Sequence, residues 1–422
     1  MAKPEKDNRS VITILLVWLF RFLVGATFIV SGWAKAIDPW GTIYKVEEYF
    51  TVWGLYVPRE ITLALAVILA ICEFSVGVLV FFGSMRRASV WLAAAFMVVM
   101  LPLTAYIAIA DPVSDCGCFG DFIILSNHAT FGKNIVLSAM IVYLMLRNDR
   151  VKGVYISAVQ WLVFIGALAY SSSLAFMGYR YQPLIDFRPY PNGSKFVYTD
   201  AEESPDNTMF IYEKDGVTQR FAMTELPDST WTYVDMETSA DDNGWALVIY
   251  DDGEEITGDI LDGVGMQLFL AVPDPGTHYL TRARLANELA RFVTAHGGTM
   301  TGLVAADGDN LRAWEQLALP EYPVYSAEDT ALKELVRGDA GLIFVRDGEI
   351  MWKRNLASVN HDVIHAMSSD GTDFLDDEKP EDGARLHLWL SLGFFVWLAI
   401  IYILSLPNII LSAYLRRRSA KN

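Results

Sequence analysis

Two cysteines one residue apart, Cys116 and Cys118, stand in the segment Asp115-Cys116-Gly117-Cys118-Phe119-Gly120-Asp121, between two long apolar stretches. Thiols at this spacing suit three kinds of chemistry. As a redox pair they would cycle between dithiol and disulfide. A Cys-x-Cys disulfide closes a very small ring, and departure from relaxed geometry makes such a bond easier to reduce. As a structural bridge they would pin the loop permanently. As soft-metal ligands they would underfill a site, since two thiolates have only Asp115, Asp121 and His128 nearby in sequence to complete the shell. The third cysteine, Cys72, falls in the middle of an apolar run, where a buried free thiol acts as a small hydrophobe.

Two charges fall inside apolar runs of their own. Arg21 and Glu73 sit about ten to thirteen residues from the ends of their segments, so an antiparallel pair of helices would bring them to similar depth. Ionisable groups at such depth pair with one another or face a polar cavity. The two readings are an interior ion pair and a pocket for a quinone head group or a proton. Lys35, after Gly32, is expected at the outer interface with its ammonium snorkelling to water. His361 and His365 have the i, i+4 spacing of a helical metal pair. No third ligand or HExxH glutamate accompanies them, and no metal is expected.

The elements that must position these groups follow from composition. The chain has 422 residues, 53% of them hydrophobic, with a mean hydropathy of +0.28. Apolar runs cover about 11–31, 60–82, 89–110, 131–146, 154–178 and 387–413, each near bilayer-spanning length. The first is too long for an ordinary cleaved signal and is read as a retained span. The 33–59 loop carries Trp33, Trp40, Tyr44, Tyr49, Trp53 and Tyr56, an interfacial aromatic content.

The net charge of −17 hides a division. Residues 180–385 hold thirty-nine acids against sixteen bases, while the rest is net basic. An acidic soluble part excludes a nucleic-acid surface. Bases cluster at the N-terminus, around Arg86-Arg87, at 147–153 and at Arg416–Arg418, and six spans place all of these on one side. The positive-inside rule makes that side cytoplasmic. The cysteine loop and residues 180–385 then lie outside, where disulfides persist. The expected location is the inner membrane of a bacterium, multi-pass, with 180–385 periplasmic.

Within the soluble part, 196–250 predicts short strands with tight turns, one at Lys214-Asp215-Gly216. Residues 266–368 alternate. A strand at Gln267–Val272 is followed by a helix at Thr281–His296 with Leu285, Leu289, Phe292 and Val293 on one face. A strand at Thr299–Val304, a helix at Ala327–Arg337, a hairpin through Asp347-Gly348 and a helix at Ser358–Met367 complete an α/β order.

The first four spans resemble the DoxX/MauE family of membrane proteins. Arg21-Phe-Leu-Val-Gly25 with Gly32 and Lys35 fits that family's spacing, as do Glu73-Phe74 and Gly77. Cys116-Gly-Cys118-Phe-Gly120 is similar to the Cys-Gly-Cys-Phe-Gly of its MauE branch. The resemblance covers about 11–148. It implies a four-helix bundle, a place in maturing an extracytoplasmic enzyme beside a thioredoxin-like partner, and, through DoxX-like relatives, a quinone. The thiol pair facing outward is also similar to vitamin K epoxide reductase-type enzymes, which use Cys-x-x-Cys. The layout looks like a DoxX-type family of Bacteroidetes with a tail domain. Residues 266–368 resemble a thioredoxin fold by element order. Their active-site turn reads Val272-Pro273-Asp274-Pro275-Gly276, without cysteine, so this domain would bind rather than exchange thiols.

The expected architecture is an α-helical polytopic membrane protein with a DoxX/MauE-like four-helix bundle and an extracytoplasmic α/β thioredoxin-like domain. Its parts are a bundle at 1–150, a fifth span at 151–179, a strand-rich segment at 180–260 and a thioredoxin-like domain at 261–370. An acidic linker at 371–386, a sixth span at 387–415 and a basic tail at 416–422 follow. Two functions stay open. One is thiol–disulfide exchange through Cys116 and Cys118 with a protein client, passing electrons to a quinone near Arg21 and Glu73. The other is a non-enzymatic scaffold whose acidic domain recruits a partner.

Overall fold

The computed structural model describes residues 5–113, 115–183, 185–198, 208–214, 217–222, 227, 231–238, 247–359 and 381–419. The chain divides into two compact units, Met1–Arg188 with Lys379–Asn422, and Pro189–Glu378.

Six helices of the first unit are long and apolar enough to cross a membrane: Val11–Ile37, Arg59–Phe81, Arg86–Ala110, Asn127–Arg147, Ser157–Arg180 and Arg385–Leu406. They belong to helices α1 (Glu5–Ile37), α3 (Arg59–Phe81), α4 (Arg86–Ala110), α5 (Asn127–Arg147), α6 (Gln160–Arg180) and α12 (Glu381–Ser419). Large apolar side chains such as Leu15, Ile68, Val98, Ile109, Leu146 and Trp389 are exposed on their outer faces, as lipid contact requires. The protein is a polytopic helical membrane protein.

The axis of this unit is the antiparallel contact of α1 with α3. A Cβ at Gly32 would collide with the Phe74 backbone, so only glycine permits this approach. The fifth and sixth spans do more than tether the soluble part, because they extend the same core. Tyr170 of α6 stacks on Phe394 of α12 at 4.7 Å and packs against Phe74 of α3 at 5.3 Å. A short helix, α2 (Pro39–Val52), replaces the expected interfacial loop. Asp38 caps it, its carboxylate accepting from Gly41 N–H at 3.0 Å, and Pro39 starts the first turn.

The second unit contains a seven-stranded sheet and a separate three-stranded one. The small sheet has the order β2-β1-β3, from β1 (Thr208–Lys214), β2 (Val217–Ala222) and β3 (Thr232–Thr238), all antiparallel. The large sheet runs β10-β9-β6-β7-β8-β4-β5. Its strands are β4 (Ile249–Asp251), β5 (Glu254–Glu255), β6 (Met266–Val272), β7 (Thr299–Val304), β8 (Val324–Ala327), β9 (Gly341–Arg346) and β10 (Glu349–Asn355), with the short helices α7 (Thr257–Ile260) and α8 (Thr277–Leu280) before and after β6. Strands β6, β7 and β8 are parallel, and β9 runs antiparallel to β6.

Central strand β6 is buried on both faces. Leu268, Leu270 and Val272 meet α9 (Ala283–Ala295) and Trp314 of α10 (Gly308–Ala318), while Phe269 and Ala271 meet Leu332 and Leu335 of α11 (Asp329–Leu335). The β9–β10 hairpin turns through Asp347 and Gly348, both at positive φ, the conformation that Asp-Gly favours.

Two differences from the sequence reading matter. Strands β4 and β5, before residue 261, join the α/β sheet instead of the strand-rich segment. Helix α10 and strand β8 form an additional unit between β7 and the hairpin. Beyond Val359 the expected helix at Ser358–Met367, with His361 and His365, lies outside the described residues, as do the acidic linker up to residue 380 and most of the Lys214-Asp215-Gly216 turn; from Glu381 the expected linker is already helix α12.

Candidate functional site

The cysteine loop is held from three sides. Asp115 makes the local turn, its carboxylate accepting from Gly117 N–H at 2.7 Å, and Gly117 adopts a φ of +64°. From α2, Lys45 pairs with Asp115 at 3.0 Å and Tyr49 donates its hydroxyl to Cys116 O at 3.0 Å. A Cβ on Gly117 would press on Lys45, so turn and clamp both require glycine here. From α5 come Thr130, buried, and Lys133, whose ammonium lies 4.3 Å from the Phe119 ring centroid.

Cys116 and Cys118 are free, half-buried thiols with their sulfurs 2.7 Å apart. The Cys118 N–H donates to Cys116 Sγ at 3.3 Å. The contact favours one proton for two sulfurs. The Cys118 thiol hydrogen-bonds the Cys116 sulfur and lowers its pKa to about 6, against the resistance of burial, with help from the Cys118 N–H and Lys133. The same hydrogen bond, with burial and the charge on Cys116, pushes Cys118 well above an ordinary thiol. The pair thus favours a thiolate on Cys116 with Cys118 as the hydrogen-bonding thiol. Burial also raises Tyr49, which stays a hydrogen-bond donor.

Directly beneath the loop lies a buried ion pair. Lys35 Nζ is 2.8 Å from Glu73 Oε2, with the two residues 3% and 6% exposed. Lys35 also donates to Cys118 O and to Ser31 Oγ, and the Ser31 hydroxyl reaches Glu73 Oε2 at 2.7 Å and Cys118 O at 2.6 Å. Beside this group is a cavity of about 30 Å³, lined among others by Ser31, Glu73, Cys118, Lys133 and Asn134.

Arg21 lies near the middle of α1, about four turns before Lys35. Its Nε donates to Asn148 Oδ1 at 2.7 Å, Nη1 to Lys152 O at 3.0 Å, and Nη2 to Val151 O at 2.7 Å and Asn148 O at 3.2 Å. Asn148 in turn donates to Arg86 O. The guanidinium thus ties the 148–152 loop to the bundle.

These placements correct three expectations. Arg21 and Glu73 form no ion pair and line no common pocket, because α1 continues to Ile37 and the antiparallel register sets Glu73 beside Ser31 and Lys35. Lys35 does not snorkel. It is buried because the cysteine loop folds over it. Cys72 is exposed on the apolar outer face of α3 rather than buried. The quinone expectation meets a poor fit. The donors of Arg21 that face protein bind backbone and Asn148 acceptors, and the cavity at Glu73 has room for a water but not for a ring. Among the described residues no group of three or more His, Cys, Asp or Glu side chains could hold a metal ion.

The sequence reading missed Lys45, Tyr49, Ser31, Thr130 and Lys133 as residues that surround the cysteine loop. Spacing carried a signal. Ser31 and Lys35, Lys45 and Tyr49, and Thr130 and Lys133 are each three or four residues apart, hence on one helical face. Asp38-Pro39 also has the form of a helix start.

Comparison with known proteins bears on this unit. Residues 13–147, about a third of the chain, match the family of methylamine utilisation protein MauE, and the match includes every residue of the thiol site and the ion pair. Residues 207–240 match a domain of unknown function, DUF8463. No curated protein and no solved structure matches the chain.

Proposed function

We propose that this protein is a membrane thiol–disulfide exchange protein acting on extracytoplasmic protein clients through Cys116 and Cys118. One observation carries the reading: two free, half-buried sulfurs lie 2.7 Å apart, and the hydrogen bond between them lowers the Cys116 thiol. The Cys116 thiolate would attack a client disulfide, releasing one client thiolate and forming a mixed disulfide. Cys118 would then attack Cys116 Sγ, releasing the second client thiolate. The client gains two electrons, and the pair becomes a disulfide.

The distribution of basic residues supports an arrangement with both termini in the cytoplasm and the cysteine loop outside. The MauE match supports a role in maturing an envelope enzyme, as that family's description concerns methylamine utilisation. The order β10-β9-β6-β7, with β6 and β7 parallel and β9 antiparallel, supports a thioredoxin-like reading of the α/β unit. Without cysteine, that unit would present clients rather than reduce them.

The test is the redox state of the pair in native membranes, read by thiol-specific mass tagging across a graded dithiol buffer. The expected midpoint lies in the range of catalytic disulfides, roughly −120 to −270 mV. A bond that survives below about −300 mV would make the pair a structural staple and end the exchange reading. Labelling by a small alkylating reagent should in addition be half-maximal near pH 6 at Cys116. Below that pH the sulfur is protonated and unreactive, and above it the rate reaches a plateau.

A further inference from the structure

The exchange cycle leaves one proton without a route. Closing the disulfide requires Cys118 to lose its proton while it sits half-buried under the loop, beneath the mixed disulfide on Cys116. Exchange proceeds through the thiolate, so closure waits on that proton. Three observations below the loop bear on where it goes. Glu73 is buried, and its Oε2 accepts from both Lys35 and Ser31. The cavity of about 30 Å³ is lined by both Glu73 and Cys118, with Ser31, Lys133 and Asn134 as further polar partners. A cavity holds a water once it offers about 10–15 Å³ and two to four polar partners; this one offers about 30 Å³, and its mixed lining brings Ser31, Glu73, Cys118 and Lys133 to one space.

We propose that Glu73, through a water in this cavity, takes the proton from Cys118 as the disulfide closes, with Lys35 and Ser31 as positioning residues that hold the carboxylate and the Cys118 carbonyl. The inference rests on the exchange reading above and gives its second step a base. In the first step, attack by Cys116 discharges its thiolate into the mixed disulfide. That removes the negative charge that opposed ionisation of Cys118, while Lys35 and Lys133 continue to favour its thiolate. In the second step the Cys118 proton passes to the water and a water proton to Glu73. Cys118 Sγ bonds Cys116 Sγ, and the outgoing thiolate leaves with the electron pair of the broken S–S bond. Two thiols are oxidised and one disulfide is reduced to two thiolates. The charged and titratable groups facing Glu73 are Lys35 from α1, Lys133 from α5 and Cys118 from the loop. The α4 lining, Phe96, Met97 and Met100, is apolar.

The experiment uses the full chain in lipid nanodiscs, in a Cys72→Ser background, with the chromogenic aromatic disulfide dithiobis-nitrobenzoate as substrate. Attack by Cys116 releases one coloured thiolate, and closure by Cys118 releases a second, so the two steps appear as two phases. Glu73→Gln should leave the first phase within about twofold of wild type and slow the second by about a hundredfold, a usual loss for a proton acceptor. With the carboxylate gone, the second phase should also climb about tenfold per pH unit, as bulk base takes over. Thr27→Met, which fills the cavity and leaves Lys35–Glu73 untouched, should slow the second phase similarly, and it decides the matter if Glu73→Gln does not fold. Unchanged second phases with the wild-type pH profile would overturn the relay. So would a slow Glu73→Gln beside a normal Thr27→Met, because the proton would not then travel through the cavity. A wild-type protein that shows neither phase would instead remove the exchange reading.

Discussion

Arg21 and Lys35 lie on the same helix, both buried, about 21 Å apart along its axis at helical rise. Arg21 meets backbone carbonyls and an amide, all in the loop that follows α5. Those acceptors are fixed dipoles that cannot titrate, so the guanidinium acts as a rivet. Lys35 meets a carboxylate, a hydroxyl and the carbonyl of a redox-capable cysteine. Those partners include a titratable carboxylate and the backbone of a cysteine whose thiol takes part in the proposed exchange. The two buried cations of one helix therefore differ in kind: one is built to hold, the other to hold and respond. What separates them is the partner chemistry, since burial and sign of charge are the same.

That contrast can be broken by substitution. Arg21→Met should have the largest effect on stability, a loss of about 3 kcal/mol, because several buried acceptors lose a charged donor at once. Thermal unfolding in detergent would read it, and the surviving folded fraction should keep normal Cys116 labelling. Arg21→Lys should recover little, since an ammonium lacks the fork that reaches three carbonyls and an amide.

At the second cation, Lys35→Met alone should destabilise by a comparable amount, about 3 kcal/mol, by leaving Glu73 buried without its cation. The double variant Lys35→Met/Glu73→Leu should return close to wild-type stability, because a buried pair replaced by apolar groups is often neutral. Its disulfide closure should nonetheless remain slow. If the double variant closed at the wild-type rate, the pair would be a rivet like Arg21 and the contrast would vanish. The smallest change expected is from Gly117→Ala, about 1 kcal/mol for a side chain in the left-handed region. Displacement of Lys45 should weaken its hold on Asp115, and altered Cys116 labelling would report it.

Much of the site's chemistry was legible in the chain. The Cys-x-Cys loop and the intramembrane charges stand out by type alone, because thiols and ions in apolar context are conspicuous. Their pairing was not legible. Depth was judged from where the first apolar run weakens, near Ser31, whereas α1 continues one and a half turns further and carries Lys35 with it. Those extra turns move the outer reference point and set Glu73 beside Lys35 instead of Arg21. In the soluble unit, the Asp347-Gly348 hairpin was readable because that dipeptide prefers its turn locally. Strand β8, four residues long, carries no pattern of its own and exists by pairing with β7 and β4.

By itself the sequence determined that six segments are long and apolar enough to cross a membrane, that a thiol pair stands between two of them, and that an acidic α/β part follows the fifth. These are consequences of composition and periodicity, which each segment carries locally. Only the tertiary structure decided that Lys35 is buried, that Arg21 and Glu73 have separate partners, and that Glu73 and Cys118 share a cavity. Those depend on how closely α1 approaches α3 and on a loop eighty residues downstream folding over the end of α1, long-range contacts that no local stretch encodes.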